Sequence, residues 1–225
     1  MHISPDEFVF WQWGFVTINA TLVFTWLIML LLGIGAWLVT RKLSTDTQLS
    51  HWQNLLEVLV VNLRDQIQQT SGQNPERYLP FVGTLFVFIA TSNLLAIVPG
   101  YHPPTASLST TAALALCVFF AVPVFGISQQ GLWKYLHHYF EPNPILFPFY
   151  IISELSRTLA LAVRLFGNVM SEGMIAAILI SIAPLFFPAI MQALGLLTGL
   201  IQAYIFAVLA VVYIGSARNE DYGSK

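Results

Sequence analysis

Long apolar segments separated by short polar stretches dominate the chain. Because a helix that crosses a bilayer needs about 20 apolar residues, these segments predict membrane spans. They are Trp13 to Val39, Phe81 to Val98, Leu108 to Ile127 with a kink at Pro123, Pro148 to Ala183, and Pro188 to Ala217. The pattern therefore predicts an all-α integral membrane protein with about five transmembrane helices.

The last two segments are longer than a simple span requires. At 1.5 Å per residue, a helix from Pro148 to Ala183 would be about 54 Å long, against a hydrocarbon core of about 30 Å. No proline interrupts it. We therefore expect a long, strongly tilted helical hairpin with its turn around Pro184 to Phe187.

The polar region after the first span contains one periodic stretch. Its apolar residues recur at helical spacing, while polar residues such as Gln53, Asn54, Glu57 and Gln68 face away. The apolar positions are Trp52, Leu55, Leu56, Leu59, Leu63 and Ile67. The pattern predicts an amphipathic cytoplasmic helix on the membrane surface or against a partner helix; a solvated connecting helix is the alternative. Asn74-Pro75 is typical of the start of the next helix.

The basic residues of the short loops predict the orientation. The first 40 residues contain no Lys or Arg, whereas residues 41–77 contain four and the loop after the third span contains Lys134. By the positive-inside rule, the N-terminus lies outside and the C-terminus inside. We expect one membrane domain over residues 1–225, divided into an outer N-terminus and first span (1–40), a cytoplasmic loop (41–77), spans two and three (78–127), a cytoplasmic loop (128–147), the long hairpin (148–217) and a cytoplasmic tail (218–225).

Composition agrees with this placement and excludes several functions. The chain is 56% hydrophobic and only 9% charged, with a net charge of −2 and no basic run, so nucleic acid is not an expected partner. A single cysteine, Cys117, excludes an intrachain disulfide and a cysteine-rich metal site. No cofactor is expected. The N-terminus begins with Asp6 and Glu7 rather than basic residues, so it does not resemble a secretory signal.

Four charged residues lie within the penultimate span, where ionisable groups suggest an ion path. Glu154 and Glu172 are 18 residues apart, which is five full helical turns, so they share one stripe. Arg164 lies about 80° from that stripe and midway along it, with Arg157 about 20° from Arg164. A carboxylate toward each face, divided by a permanent cation, would suit two ion passages that must not connect. The structural alternative is that the charges pair, or that Arg157 extends to the interface.

The last span has one small, polar face formed by Gln192, Gly195, Gly199 and Gln202. Such a face admits a close neighbouring helix, although ordinary helix packing explains it equally well.

Two motifs then resemble a known family. Arg164-Leu165-Phe166-Gly167-Asn168, followed by Gln202-Ala203-Tyr204-Ile205-Phe206 in the next helix, resembles subunit a of bacterial and plastid F-type ATP synthases. The resemblance is strongest from Ser153 to Ser216 and weaker around Glu57 to Pro99. It implies a non-catalytic stator subunit that forms two offset ion half-channels against a rotating ring of c subunits. The essential arginine of the family corresponds to Arg164 and its partner glutamine to Gln202.

The resemblance also implies peripheral-stalk b subunits and the rest of the complex as partners, with a bacterial plasma membrane favoured over a thylakoid. Proton coupling is expected, and a sodium-coupled version remains an alternative. The expected ion-translocation residues are Arg164, Glu172, Gln202, Asn168, Glu154 and Asn93. Across the hairpin, we expect Gln202 to hydrogen-bond to Arg164.

Three positions depart from the family pattern. Many relatives have an acidic residue nine positions after the arginine, whereas Glu172 is eight after, so only a local π-bulge would restore its facing. Gly195 stands where some relatives have histidine, and no aspartate lies near Asn93. The outer passage would therefore depend on neutral groups: Asn93, His102, Ser107, Ser109 and Thr111.

A secondary transporter and a membrane-embedded hydrolase are the competing interpretations. The chain shows no inverted repeat, which a transporter would favour. A hydrolase needs a nucleophile with a base in reach, and no histidine lies within a candidate span.

Overall fold

The computed structural model describes residues 6, 9–13, 16–41, 51–71, 75–98, 100–133, 147–182 and 187–219. Within these ranges the elements are β1 (Val9–Trp13), β2 (Val16–Asn19), α1 (Ala20–Thr40), α2 (His51–Ser71), α3 (Leu79–Leu94), α4 (Leu108–Gln130), α5 (Phe147–Ile182) and α6 (Phe187–Asn219). The predicted features at Asn74, at Lys134, in the hairpin turn at residues 184–186 and in the last six residues lie outside the described part.

Five helices of the described part, α1, α3, α4, α5 and α6, are long and apolar enough to cross a membrane. The predicted all-α integral membrane fold is thereby confirmed, with span boundaries within a few residues for four of the five. α4 runs through Pro123 and continues three residues beyond the predicted end at Ile127. It stops before Gly131, whose φ of 85° is a conformation that glycine adopts readily.

The start of the first span was predicted wrongly. Trp13 does not begin a helix but ends strand β1, which pairs antiparallel with β2, and α1 begins at Ala20. Both strand segments are rich in β-branched and aromatic residues, which favour strands over helices. A hydropathy window does not distinguish an apolar strand from the first turns of an apolar helix, so a span predicted from hydropathy extends into the strands.

The two long helices have the expected lengths. α5 has 36 residues and α6 has 33, so each exceeds a 30 Å core and has to be inclined if it crosses a bilayer. A core of buried side chains joins them to α3 and α4: Ile89, Val118, Leu161, Leu165, Ala203 and Phe206. α1 packs mainly through its first residues and Ile28, while most of its other side chains are exposed.

The amphipathic helix packs against its own chain. On α2, Leu63 and Ile67 are buried, whereas Asn54, Glu57 and Gln68 are exposed as predicted. Ile67 belongs to a second apolar cluster with Tyr78, Val82, Val122, Val211 and Ile214. In addition, the Tyr204 hydroxyl of α6 donates to Gln66 Oε1 at 2.7 Å. The partner helices of α2 are therefore α3 and α6.

This packing predicts that Ile67→Ala loosens α2. Ile67 is 1% exposed, so removing its buried methyl groups should cost about 2–5 kcal/mol. We expect α2 to become sensitive to protease at a lower temperature in the detergent-solubilised complex. Val60→Ala is the matched control because Val60 is 43% exposed on the same helix, and an equal effect there would contradict the docking.

Candidate functional site

The four charged residues predicted within the membrane lie on one uninterrupted α-helix, α5. Glu154 is half-buried, and Arg157 Nη1 lies 3.7 Å from its Oε2. The Arg157 guanidinium also lies over the Tyr213 ring of α6, 5.9 Å from the centroid. Arg157 is therefore held by an anion and an aromatic face, as the structural alternative for this residue requires.

Arg164 has a different environment. Its neighbours Leu161 and Leu165 are buried in the core, at 1% and 0% exposure, whereas Arg164 itself is exposed. Among the residues that the structure describes, it has neither an ion pair nor a hydrogen bond. A permanent cation thus lies midway along an apolar helix and faces away from the core of its own chain.

Gln202 lies across the hairpin from α5 but is bonded to a different residue than expected. Its side chain is 1% exposed, and Oε1 accepts a hydrogen bond of 2.5 Å from Asn168 Nδ2. Asn168 is one helical turn after Arg164. The expected Gln202–Arg164 hydrogen bond is absent from the described residues, because Arg164 faces outward while Gln202 faces the core. Gln202 Nε2 has no partner there.

Asn93 links α3 to α6 through a hydrogen bond. Its Nδ2 donates to the Gly199 carbonyl oxygen at 3.0 Å, and its Oδ1 accepts from Thr105 Oγ1 at 2.7 Å. A Cβ on Gly199 would lie 2.7 Å from Asn93 Cβ, closer than real Cβ atoms come. The two backbones approach at this point because position 199 has no side chain.

A cavity of about 190 Å³ lies between α3, α5 and α6. Its polar side chains are Asn93, Glu172 and Gln192, and the rest of its lining is apolar side chains and glycines, including Gly195 and Gly199. Glu172 reaches the cavity although α5 is regular α-helix there, so no π-bulge is needed. Its carboxylate occupies the space that a Cβ on Gly195 would need. Two predicted site residues, Asn93 and Glu172, thus line the same cavity.

The structure brings some of the neutral groups expected in the outer passage into contact and leaves others apart. Ser107 and Ser109 hydroxyls lie 2.6 Å apart, whereas Thr111 Oγ1 bonds only within its own helix, to Leu108 O. His102 is exposed and lies beside Phe24 of α1.

Sequence reasoning missed two residues, Thr105 and Asp6, that hydrogen-bond to residues expected in the outer passage. Thr105 bonds to Asn93, and Asp6 accepts hydrogen bonds from Thr21 and Ser107. The signal available for Asp6 was an acidic residue just before the first apolar segment, which is too common a pattern to single it out.

Comparison with known proteins identifies the family of this chain. Residues 22–215 match the family model described as ATP synthase A chain. The chain belongs to this family. ATP synthase subunit a 2 of Acaryochloris marina is 62% identical over 98% of this chain and 94% of its own length. ATP synthase subunit a of Albidiferax ferrireducens is 60% identical over 97% and 95%, and ATP synthase subunit a 1 of Chlorobaculum parvum is 60% identical over 97% of both chains.

Membership of the ATP synthase A chain family confirms the resemblance inferred from the two motifs. It makes the protein a multi-pass membrane component of an ATP synthase. This family assignment replaces the transporter and hydrolase interpretations. The hairpin β1–β2 and Asp6 precede the range that the family model matches.

The two glycines of α6 should respond differently to alanine. Gly199→Ala places a methyl group against Asn93 Cβ, so α3 and α6 must separate, at a cost of about 1–3 kcal/mol. Gly195→Ala meets only the flexible end of Glu172, so we expect little loss of stability but a displaced carboxylate and slower gradient-driven ATP synthesis by the complex.

Thermal midpoints and synthesis rates of the reconstituted complex measure both effects. Gly33→Ala is the control because an added Cβ there meets nothing within 4 Å. A Gly195→Ala variant as unstable as Gly199→Ala would contradict the distinction, and so would normal stability of Gly199→Ala.

Proposed function

We propose that this chain is the stator subunit that forms two offset ion half-channels against a rotating c ring. It is itself non-catalytic and couples ion flow to rotation and to ATP synthesis or hydrolysis elsewhere in the complex. The observation that carries the proposal is Arg164: an exposed cation midway along α5, with no partner among the described residues. A charge in that place is costly unless another protein surface faces it.

The chemistry of arginine suits a divider between two passages. Its guanidinium is protonated at all relevant pH values, so it does not relay protons. A ring carboxylate that comes within about 4–6 Å of it is favoured in its charged form. The carboxylate therefore releases its ion near Arg164 and has to take up another before it re-enters lipid.

The surface around Arg164 suits an apolar partner helix. α5 exposes a row of large hydrophobic side chains whose exposed fractions run from 41% to 67%: Ile151, Ile152, Leu155, Leu159 and Val163. In the isolated subunit this row faces lipid or a neighbouring protein. A transmembrane helix of the c ring would pass along it and carry its carboxylate to the level of Arg164.

The two half-channels are assigned to opposite ends of α5. The cavity with Glu172 and Asn93 supports the outer passage, and the half-buried Glu154 supports the inner one. Asn168 and Gln202 link α5 to α6 close to Arg164. With Arg164 between them, an ion cannot pass straight from one passage to the other.

The proposed setting is a bacterial plasma membrane, with the N-terminus outside and the C-terminus in the cytoplasm. The loop charges support this orientation. The contact of Asp6 with Ser107 adds support, since it puts the N-terminal segment and the start of α4 at the same end. Peripheral-stalk b subunits are the other proposed partners. The coupling ion is a proton or sodium, whose ligands belong to the ring rather than to this chain.

Arg164→Ala should abolish coupled ATP synthesis in the reconstituted complex while leaving a passive leak, because the divider is gone. Arg164→Lys should also fail, since lysine can lose its proton when it is desolvated. Arg157→Lys is the control: it lies on the same helix but already has Glu154 as its partner, so synthesis should stay within about threefold of wild type. A near-normal rate of ATP synthesis by the Arg164→Ala complex would contradict the proposal.

Accessibility from the two sides is a second test. Cys117 is exposed, so it is first replaced in a Cys117→Ser background. Single cysteines introduced by Glu154→Cys and Glu172→Cys should then react with a membrane-impermeant thiol reagent from opposite sides of oriented vesicles. Gly195→Cys should react from the same side as Glu172→Cys, because both positions line one cavity. Labelling of positions 154 and 172 from one side would break the two-passage arrangement.

A further inference from the structure

Asp6 connects two elements that are far apart in sequence. Its Oδ1 accepts a hydrogen bond from Thr21 Oγ1 of α1, and its Oδ2 accepts one from Ser107 Oγ at the start of α4, each 2.6 Å long. Ser107 lies 2.6 Å from Ser109 Oγ. Thr21 and Ser107 are buried, while Asp6 itself is only half-buried. One carboxylate is thus fixed in orientation and still accessible to water.

A row of buried polar groups leads from this carboxylate toward the cavity. Ser107 is two residues after Thr105, and both are 0% exposed. Thr105 donates to Asn93, and Asn93 lines the same cavity as Glu172. Buried hydroxyl and amide groups of this kind are uncommon in an apolar protein unless they are paired or serve a path. These groups lie between a carboxylate that bonds to Ser107, Asp6, and a carboxylate that shares the cavity with Asn93, Glu172.

Among the described residues at this end of the chain, Asp6 is the acidic one. The other titratable groups of the neighbouring loop are Tyr101 and His102. Burial raises the pKa of Tyr101 to about 12, so it stays neutral, and the exposed His102 adds no negative charge in either protonation state. In the described part of the chain, Asp6 is therefore the anion that a cation arriving from this side meets before Glu172.

We propose that Asp6 is the cation-collecting carboxylate at the mouth of the outer half-channel, in place of an acidic residue on α3. The proposal rests on the two-passage function proposed above. A fixed negative charge beside a narrow entrance raises the local concentration of cations, protons and sodium alike, and salt screens this effect. Thr21 and Ser107 hold the carboxylate in place, and the row through Thr105 and Asn93 leads from it toward Glu172.

The test is Asp6→Asn in the complete ATP synthase complex, reconstituted in vesicles and driven by an imposed gradient. The amide keeps the size of the side chain and removes its charge. At about 10 mM ionic strength, where the screening length is longest, we expect synthesis about fivefold slower than wild type. At about 150 mM the difference should shrink to less than about twofold, because salt slows the wild type and leaves the variant almost unchanged. A proton gradient and a sodium gradient are each used.

Thr21→Val is the matched control, since it removes one hydrogen bond to Asp6 and keeps the charge. It should retain the rate and salt dependence of the wild type within about twofold. Equal slowing in Thr21→Val would show that Asp6 has only a structural role, and a wild-type salt dependence in Asp6→Asn would also overturn the proposal. If Asp6→Asn does not assemble with the c ring, Asp6→Glu is measured instead. Its salt dependence should match wild type, and loss of that dependence would overturn the proposal.

Arg164→Ala in the same vesicles distinguishes a failure of the proposed role of Asp6 from a failure of the proposed function. If it blocks synthesis while Asp6→Asn behaves as wild type, the two-passage function stands and the role of Asp6 fails. If synthesis survives Arg164→Ala, the proposed function itself fails, whatever Asp6→Asn does.

Discussion

An arginine cannot lose its charge, and at Arg164 this charge faces away from the apolar core that joins the helices. The residue lies midway along a 36-residue helix, where a cation exposed to lipid would be unfavourable by several kcal/mol. Burial of Leu161 and Leu165 fixes the rotation of α5, so Arg164 cannot turn into the core. The described part of the chain offers it no anion, and the partner surface proposed above would compensate its charge. This proposal agrees with the family to which the chain belongs, the ATP synthase A chain family.

The close approach of α3 and α6 at Asn93 and Gly199 shapes the rest of the site. Because position 199 has no side chain, Asn93 reaches the backbone carbonyl oxygen of α6 and still accepts a hydrogen bond from Thr105. Next to this contact, α5 crosses and leaves the cavity that Glu172 lines. One small residue therefore allows a packed interface between two helices and, beside it, a cavity that Asn93, Glu172 and Gln192 line in part.

Hydropathy and helical period predicted much of this structure because both are local properties. They gave the five spans, the amphipathic face of α2 and the common stripe of Glu154 and Glu172. The features that they missed depend on contacts between distant residues. Asp6 and Ser107 are 101 residues apart, and Asn93 and Gly199 are 106 apart, so no local pattern links them. The partner of Gln202 was wrong for a related reason: helical spacing places Arg164 near the hairpin, but the packing of Leu165 decides that Asn168, not Arg164, faces Gln202.

Two departures from the family pattern, at Glu172 and at Gly195, are best understood as one compensated change. Placing the acid eight rather than nine residues after Arg164 rotates it by about 100° on α5. In that position its carboxylate occupies the space that a Cβ at position 195 would need. A histidine there, as in some relatives, would exclude Glu172 from the cavity, and glycine admits it. Glu172 at its shifted position and glycine at position 195 together keep a carboxylate in the space between α5 and α6. The position of the Glu172 carboxylate is therefore set by the volume available on the facing helix as much as by its own place in the sequence.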